Sequence, residues 1–293
     1  MKSPDFIAVD WGTTNRRVYR IDAAGSVLQR QSDDKGVLSI ANDGFAAAVA
    51  EIRADFGDLS ILFSGMIGSS RGWIEAPYVS CPATLGNLVD QAIRLDNAII
   101  IPGVSYRSDD RADVMRGEEV QLLGAIGDGM ASPDGLICHP GTHNKWVVVG
   151  NGRILSFRTA MTGELFGLLQ KHSILSEMLK EQGHVDAAFR RGVRHALAAN
   201  DLLAELFSIR PRVLLGQMDA SHATSYASGL LIGSDVRLGL DTAPEERRIT
   251  IMGRPDLTAF YAAALKEAGR ECAQVDGEQA FLAGARLLAK ELL

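Results

Sequence analysis

The stretch FIAVDWGTTNRRVYRID, Phe6 to Asp22, decides how the rest of the chain is read. An apolar run ends in Asp10, a Gly12-Thr13-Thr14-Asn15 turn follows, and a second run, Arg17 to Ile21, leads back. Gly and Asn between two β-rich runs are the local signal of a hairpin. The same residues can serve a phosphate. Gly12, Thr13 and Thr14 offer backbone N–H and hydroxyl donors, and Asp10 offers a carboxylate able to hold Mg²⁺. By itself the stretch supports an ordinary hairpin as readily as a phosphate-and-metal site.

A second copy tips the reading. In GLICHPGTHNKWVVVGNGRILSF, Gly135 to Phe157, the apolar run Leu136–Cys138 leads into Gly141-Thr142, and strands Lys145–Val149 and Arg153–Phe157 follow around a Gly-Asn-Gly turn. Two strand–Gly-Thr–strand units spread over one chain can hold one nucleotide from two sides. That arrangement resembles the superfamily of sugar kinases, Hsp70 and actin, which bind ATP in the cleft between two related α/β domains. A third element lies near the C-terminal end: a strand, Ile249–Met252, the turn Gly253-Arg254-Pro255, and a helix over Asp256–Ala268. In the superfamily such a strand, glycine turn and helix N-terminus receives adenosine.

Composition narrows the partners. With 293 residues, 46% apolar and 23% charged, the chain is long enough for two domains that each bury a core. A net charge of −6 with no basic block disfavours nucleic acid and membrane surfaces. No run approaches the ~18 apolar residues of a membrane span, and no apolar leader precedes the first strand, so a cytoplasmic protein is expected. Cys81, Cys138 and Cys272 are far apart and lack CxxC spacing, which suggests neither disulfides nor zinc. Walker-type, HExxH and GxGxxG patterns are absent from the sequence.

Between the first two elements, Phe45, Val49, Ile52 and Phe56 form the stripe of a helix over Asp43–Phe56. A short strand, Ile61–Phe63, opens into SGMIGSSRGW, Ser64 to Trp73, the kind of strand-end loop where α/β sheets place ligands. Asn97–Ile101 predicts a further buried strand. The polar stretch from Ser108 reads as a loop leading into a helix from Gly117 or Glu118, and the domain boundary is placed there, giving 1–112 and 113–293. Glu118-Glu119 at that helix start either complements the dipole or supplies a general base. Thr162 is expected to cap a helix over Glu164–Lys171, a second helix is expected over Val185–Ala199, and a shorter one over Asp201–Phe207. His139 and His143 flank the second turn and read as donors near the phosphates, since further metal ligands are not close in sequence.

Taken together, VDWGTTNRR, SGMIGSSRGW, IIPG, DDRADVMRGEE, PGTHNKWV, FRTAMTGEL, SGLLIG and GRPDLTAFY resemble the 2-dehydro-3-deoxygalactonokinase family nearly end to end. The resemblance implies a hexokinase-like two-domain α/β fold, ATP and Mg²⁺ as co-substrates, and phosphorylation of the 6-hydroxyl of a keto-deoxy sugar acid. Epimer choice is left open, as is oligomeric state, a homodimer being one alternative. The resemblance makes Asp10 the Mg²⁺ holder, Gly12, Thr13 and Thr14 the first phosphate loop, Gly141 and Thr142 the second, and Gly253, Leu257 and Thr258 the adenine side. Glu118 occupies the slot where related kinases keep a catalytic aspartate, with Asp110 and Asp113 as alternatives. A sugar acid also needs a cation for its carboxylate. Arg17, Arg71, Arg107, Arg116 and Arg158 are candidates, Arg116 and Arg17 foremost. Ser64, Gly65, Met66 and Trp73 are expected to shape the sugar pocket.

Overall fold

The computed structural model describes residues 4–41, 43–243 and 248–293. It divides into two compact units, Met1–Pro133 with Val149–Ser156 and Gly277–Leu293, and Asp134–Val148 with Phe157–Asp276.

The first unit opens as the sequence predicts. β1 (Phe6–Trp11) pairs antiparallel with β2 (Arg16–Ile21), Asp10 lying opposite Arg17, and β3 (Val27–Asp33) adds an exposed edge strand. α1 (Phe45–Phe56) buries Phe45, Val49, Ile52 and Phe56, the stripe expected of it. β4 (Ser60–Gly65) runs parallel to β1, and its pairing sets Asp10 beside Ser64 and Trp11 beside Gly65. β5 (Tyr78–Ser80), α2 (Leu85–Asp90), β6 (Ile93–Leu95) and β7 (Ala98–Ile100) follow. The main sheet has the order β3-β2-β1-β4-β7-β6. Apolar side chains from β1, β4 and α1, with Trp11 and Phe63 at the centre, make its core, since a strand buried on both faces needs a continuous apolar run.

One expectation changes here. Ser108–Gly117 is not all loop: β8 (Gly103–Arg107) and β9 (Ala112–Met115) form a hairpin, and with β5 they make a three-stranded sheet. The alternating pattern that marks a strand is hidden because β9 is four residues long and partly exposed. α3 (Glu118–Gly127) then starts where the sequence puts it. The first unit consequently runs on to Pro133, past the boundary drawn after residue 112.

The second unit is built on β10 (Gly135–His139), β11 (Asn144–Gly150) and β12 (Arg153–Ala160), followed by α4 (Thr162–His172), α5 (Ala187–Ala198), α6 (Leu202–Leu214) and α7 (Ala223–Leu240). β13 (Ile249–Gly253), α8 (Pro255–Glu267) and β14 (Cys272–Asp276) complete it, and α9 (Gly277–Leu292) returns to the first unit, where it packs on α3. The sheet order is β12-β11-β10-β13-β14, with β10, β13 and β14 parallel. α6 outruns the predicted Asp201–Phe207 by continuing through Pro211, after which Leu215 N–H still bonds Pro211 C=O. A proline lowers helix propensity, but here burial of Leu206 and Ile209 against α7 outweighs it. No helix among the described residues is long and apolar enough to cross a membrane.

Candidate active site

In the first unit the candidate residues gather at the C-terminal ends of β1 and β4, where a parallel pair points its strand ends and loops toward ligands. Asp10, Arg17 and Ser64 stand in one row across three strands because register pairs share a face. Arg17 Nη2 lies 3.3 Å from Asp10 Oδ2. The Gly12–Asn15 turn is closed by Gly12 N–H on Asn15 C=O. Its carbonyls accept N–H groups of residues 36–38, which fixes the turn and leaves Thr13 and Thr14 exposed at its tip.

The next layer comes from α3. Gly117, at φ 111°, lies so close to Gly65 that an added Cβ would be 3.1 Å from its Cα. This glycine-on-glycine contact brings Arg116, Glu118 and Glu119 to the ends of β1 and β4. Arg116 N–H donates to Glu118 Oε2 at 3.1 Å, and Gly117 N–H donates to Glu119 Oε2 at 2.7 Å. Burial raises the Asp10 carboxyl above the ordinary range; Arg17 opposes this, and the nearby negative charge of Glu118 adds to it. Glu119, fully buried, is pushed up to about 8 by burial and then by Glu118. Two crowded carboxylates offering hard oxygens suit a divalent cation, which relieves their repulsion.

Arg116 is the unusual cation. It is only 8% exposed, stacks over Tyr78 at 4.2 Å, and donates Nη2 to Ala76 C=O at 2.8 Å. Its Nε and Nη1 are buried and meet no acceptor, and neither does the Ser64 hydroxyl. Gly68 leaves the room Nη1 occupies, an added Cβ there falling 3.1 Å from it. An unmade hydrogen bond on a buried guanidinium carries a desolvation cost that a ligand acceptor would relieve. Trp73 packs edge-on against Phe63, while Met66 opens the 3₁₀ turn after Gly65. The Gly68-Ser69-Ser70-Arg71-Gly72 spacing matches a nucleophile elbow in letters alone: Ser70 is exposed and no helix follows it. Arg71 and Arg107 are exposed, Asp110 lies in the exposed β8–β9 turn, and Asp113 lies on β9 itself.

In the second unit, Gly141, Thr142 and Gly253 stand at the C-terminal ends of the parallel strands β10 and β13. α4 docks its first turn on the Gly141-Thr142 turn. Glu164 N–H donates to Thr142 C=O at 3.0 Å, and an added Cβ on Gly163 would meet Gly141 O at 2.6 Å. A cavity of about 220 Å³ lies against it, lined by Gly141, Gly163, Phe166, Leu257, Phe260 and Tyr261. That is below the roughly 300–1,000 Å³ of whole-ligand pockets and apolar enough for one end of a ligand, such as a flat ring. Leu257 thus lines the cavity, whereas Thr258 is buried and donates to Gln274. His143 pairs with Glu164 at 2.5 Å, and Arg158 is exposed on β12.

Thr162 does not cap α4 as expected, because its hydroxyl donates to Asp235 Oδ2 at 2.6 Å. Asp235, which the sequence reading passed over, also accepts from Asn144 Nδ2, Trp146 Nε1 and Tyr261 OH. Burial raises its carboxyl above the ordinary range while these donors pull the other way. A visible signal was present: a lone carboxylate in the otherwise apolar and small-residue run of α7.

Two α/β units, one presenting crowded carboxylates at its strand ends, the other a glycine turn beside an apolar cavity, have the fold of the actin-like ATPases and sugar kinases. The dehydratase activator of Clostridium difficile, solved with bound ADPNP, shares the fold at 10% identity, with a TM-score of 0.52 over 98% of this chain and 95% of its own. Within that class the chain belongs to the family described as 2-keto-3-deoxy-galactonokinase, which matches residues 10–288. It is 37% identical to the 2-dehydro-3-deoxygalactonokinase of Escherichia coli over 97% of both chains. A crystal structure from Sinorhizobium meliloti, put forward as a 2-dehydro-3-deoxygalactonokinase, superposes with a TM-score of 0.91 at 33% identity, covering 97% of this chain and 98% of that one.

Proposed function

We propose that this chain transfers the γ-phosphoryl group of ATP to the 6-hydroxyl of 2-dehydro-3-deoxygalactonate, within the cytoplasm. The observation that carries the reading is Arg116, a buried guanidinium whose Nε and Nη1 lack acceptors, set one residue from Gly117 and two from Glu118. A carboxylate of the substrate can accept from that guanidinium, and the Ser64 hydroxyl, also without a partner, can take a further sugar oxygen.

Glu118, held by the Arg116 N–H, orients the sugar hydroxyl and accepts its proton. The hydroxyl oxygen forms the new P–O bond as the bond from the γ-phosphorus to the β–γ bridging oxygen breaks, and ADP leaves. Such a transfer depends mainly on alignment and charge stabilisation, so the base has a modest task. Asp10, with Glu118 beside it, would hold Mg²⁺, an ion that would supply charge neutralisation at the phosphate oxygens. Thr13 and Thr14 contact phosphate oxygens from the first turn. In the second unit Gly141 and Thr142 would receive phosphate, and Gly253 and Leu257 would form the adenine side, with Thr258 buried behind them on Gln274.

The test is ADP formation by the purified protein with MgATP and 2-dehydro-3-deoxygalactonate, beside its gluconate epimer and neutral sugars. Turnover confined to keto-deoxy acids is expected. Turnover with neutral sugars, or none with any acid, removes the substrate reading.

A further inference from the structure

Asp235 has its full complement of hydrogen bonds, all from side chains of other segments. Oδ1 accepts Asn144 Nδ2 at 3.0 Å and Trp146 Nε1 at 2.8 Å, while Oδ2 accepts Asn144 Nδ2 at 2.9 Å and the Thr162 and Tyr261 hydroxyls at 2.6 Å each. The residue is 4% exposed. Burying a charge is expensive, and a core of this size closes as well on apolar side chains, so such a network is kept for geometry more than for net stability.

The donors come from separate segments, and three of those segments enclose the cavity of about 220 Å³. Asn144 follows the Gly141-Thr142 turn by two residues. Thr162 begins α4, the helix whose first turn bonds Thr142 C=O. Tyr261 lies on α8, one turn beyond Leu257, and like Thr162 it lines the cavity. Trp146 ties the carboxylate to the sheet, its indole lying flat on α7 where Gly239 has no side chain. Asp235 itself does not line that cavity.

We propose that Asp235 is a positioning residue for the nucleotide: it sets the glycine turn, the start of α4 and the face of α8 at the spacing that ADP and ATP require, without touching either. The proposal rests on the kinase reading. Its consequence is selective. Loosening the hub weakens nucleotide binding and leaves the Arg116 pocket of the other unit unchanged.

The experiment titrates ADP with Mg²⁺, and separately 2-dehydro-3-deoxygalactonate, into the full chain as wild type, Asp235→Asn and Tyr261→Phe, with a thermal melt of each. Asp235→Asn keeps the shape and removes the charge that four donor groups share. ADP affinity is expected to fall about 10-fold or more, since hydrogen bonds to a charged group are the strong ones. Sugar-acid affinity stays within about twofold of wild type, a difference of under half a tenfold step. ADP affinity unchanged in Asp235→Asn, or both ligands weakened alike, overturns the proposal. Should that variant not fold, Tyr261→Phe decides: selective loss of ADP supports the hub, and unchanged ADP binding refutes it. A wild type that binds ADP but no sugar acid removes the substrate reading and leaves the hub judged on ADP alone. A wild type that binds no ADP overturns both.

Discussion

Glu119→Gln should abolish the pH dependence of stability that the buried carboxyl imposes. Glu119 is fully buried, its two oxygens face the Gly117 N–H, and its carboxyl is pushed up to about 8 from an ordinary 4.5, by burial first and Glu118 second. Below about pH 4.5 the group is neutral in both folded and unfolded chains and costs nothing. Between about 4.5 and 8 the unfolded chain has released the proton while the folded one holds it. The folded state then binds more protons, and stability falls by about 1.4 kcal/mol per pH step. Carried to pH 8, the loss is on the order of 5 kcal/mol.

Glutamine stays neutral, so its variant escapes this slope. At pH 5.5 it gains little and loses part of its bonding, because its NH₂ group faces the same Gly117 N–H. As pH rises to 9 the variant should gain on wild type by several kcal/mol, which for a unit of about 150 residues means a relative Tm gain on the order of 10 °C. Thermal melts of both proteins at constant ionic strength from pH 5.5 to 9 read this difference, and other titrating groups cancel in it. A Tm difference that stays flat across that range would refute the burial argument.

Arg116→Ala should raise the KM for the sugar acid by roughly 10- to 100-fold, the worth of charge-assisted hydrogen bonds, and leave the KM for ATP nearly unchanged; equal effects on both, in steady-state assays varying each substrate, would remove Arg116 from the pocket. Glu118→Gln should lower kcat by about 10²- to 10⁴-fold with little change in either KM, and a kcat within threefold of wild type would move the base elsewhere. Asp10→Asn should raise the Mg²⁺ concentration needed for half-maximal rate, read from a Mg²⁺ titration at fixed ATP, and an unaltered requirement would sink its role as the holder. Gly239→Ala should destabilise the second unit by about 1–3 kcal/mol or more, since the new methyl would stand 2.0 Å from the Trp146 ring; a thermal midpoint unchanged within a degree would contradict that packing.

The hairpin at Phe6–Ile21, the α1 stripe and the strand–glycine–helix run at Ile249–Glu267 were legible because their signals are local. Side-chain period, turn chemistry and helix caps are set by neighbours a few residues apart. The start of α3 at Glu118 was legible on the same grounds. β9 was not, since four half-exposed residues carry too short a pattern, and α6 was cut short by a proline that tertiary burial overrides. Thr162 was read as a cap because Thr before an acidic first turn is the usual cap signal, yet its partner lies 73 residues away.

The sequence by itself therefore determined which chemistry the chain carries: carboxylates after one strand, glycine-threonine turns after two, and arginines enough for an acid. Only the tertiary structure decided which of those groups work together. Arg116 is distinguished from four other arginines by burial and by two nitrogens without acceptors, and Glu119 differs from Glu118 by losing all contact with solvent. The Asp235 hub joins residues 26 to 91 positions apart. Solvation and long-range pairing belong to the folded chain, and they are what turn identical side chains into different chemical groups.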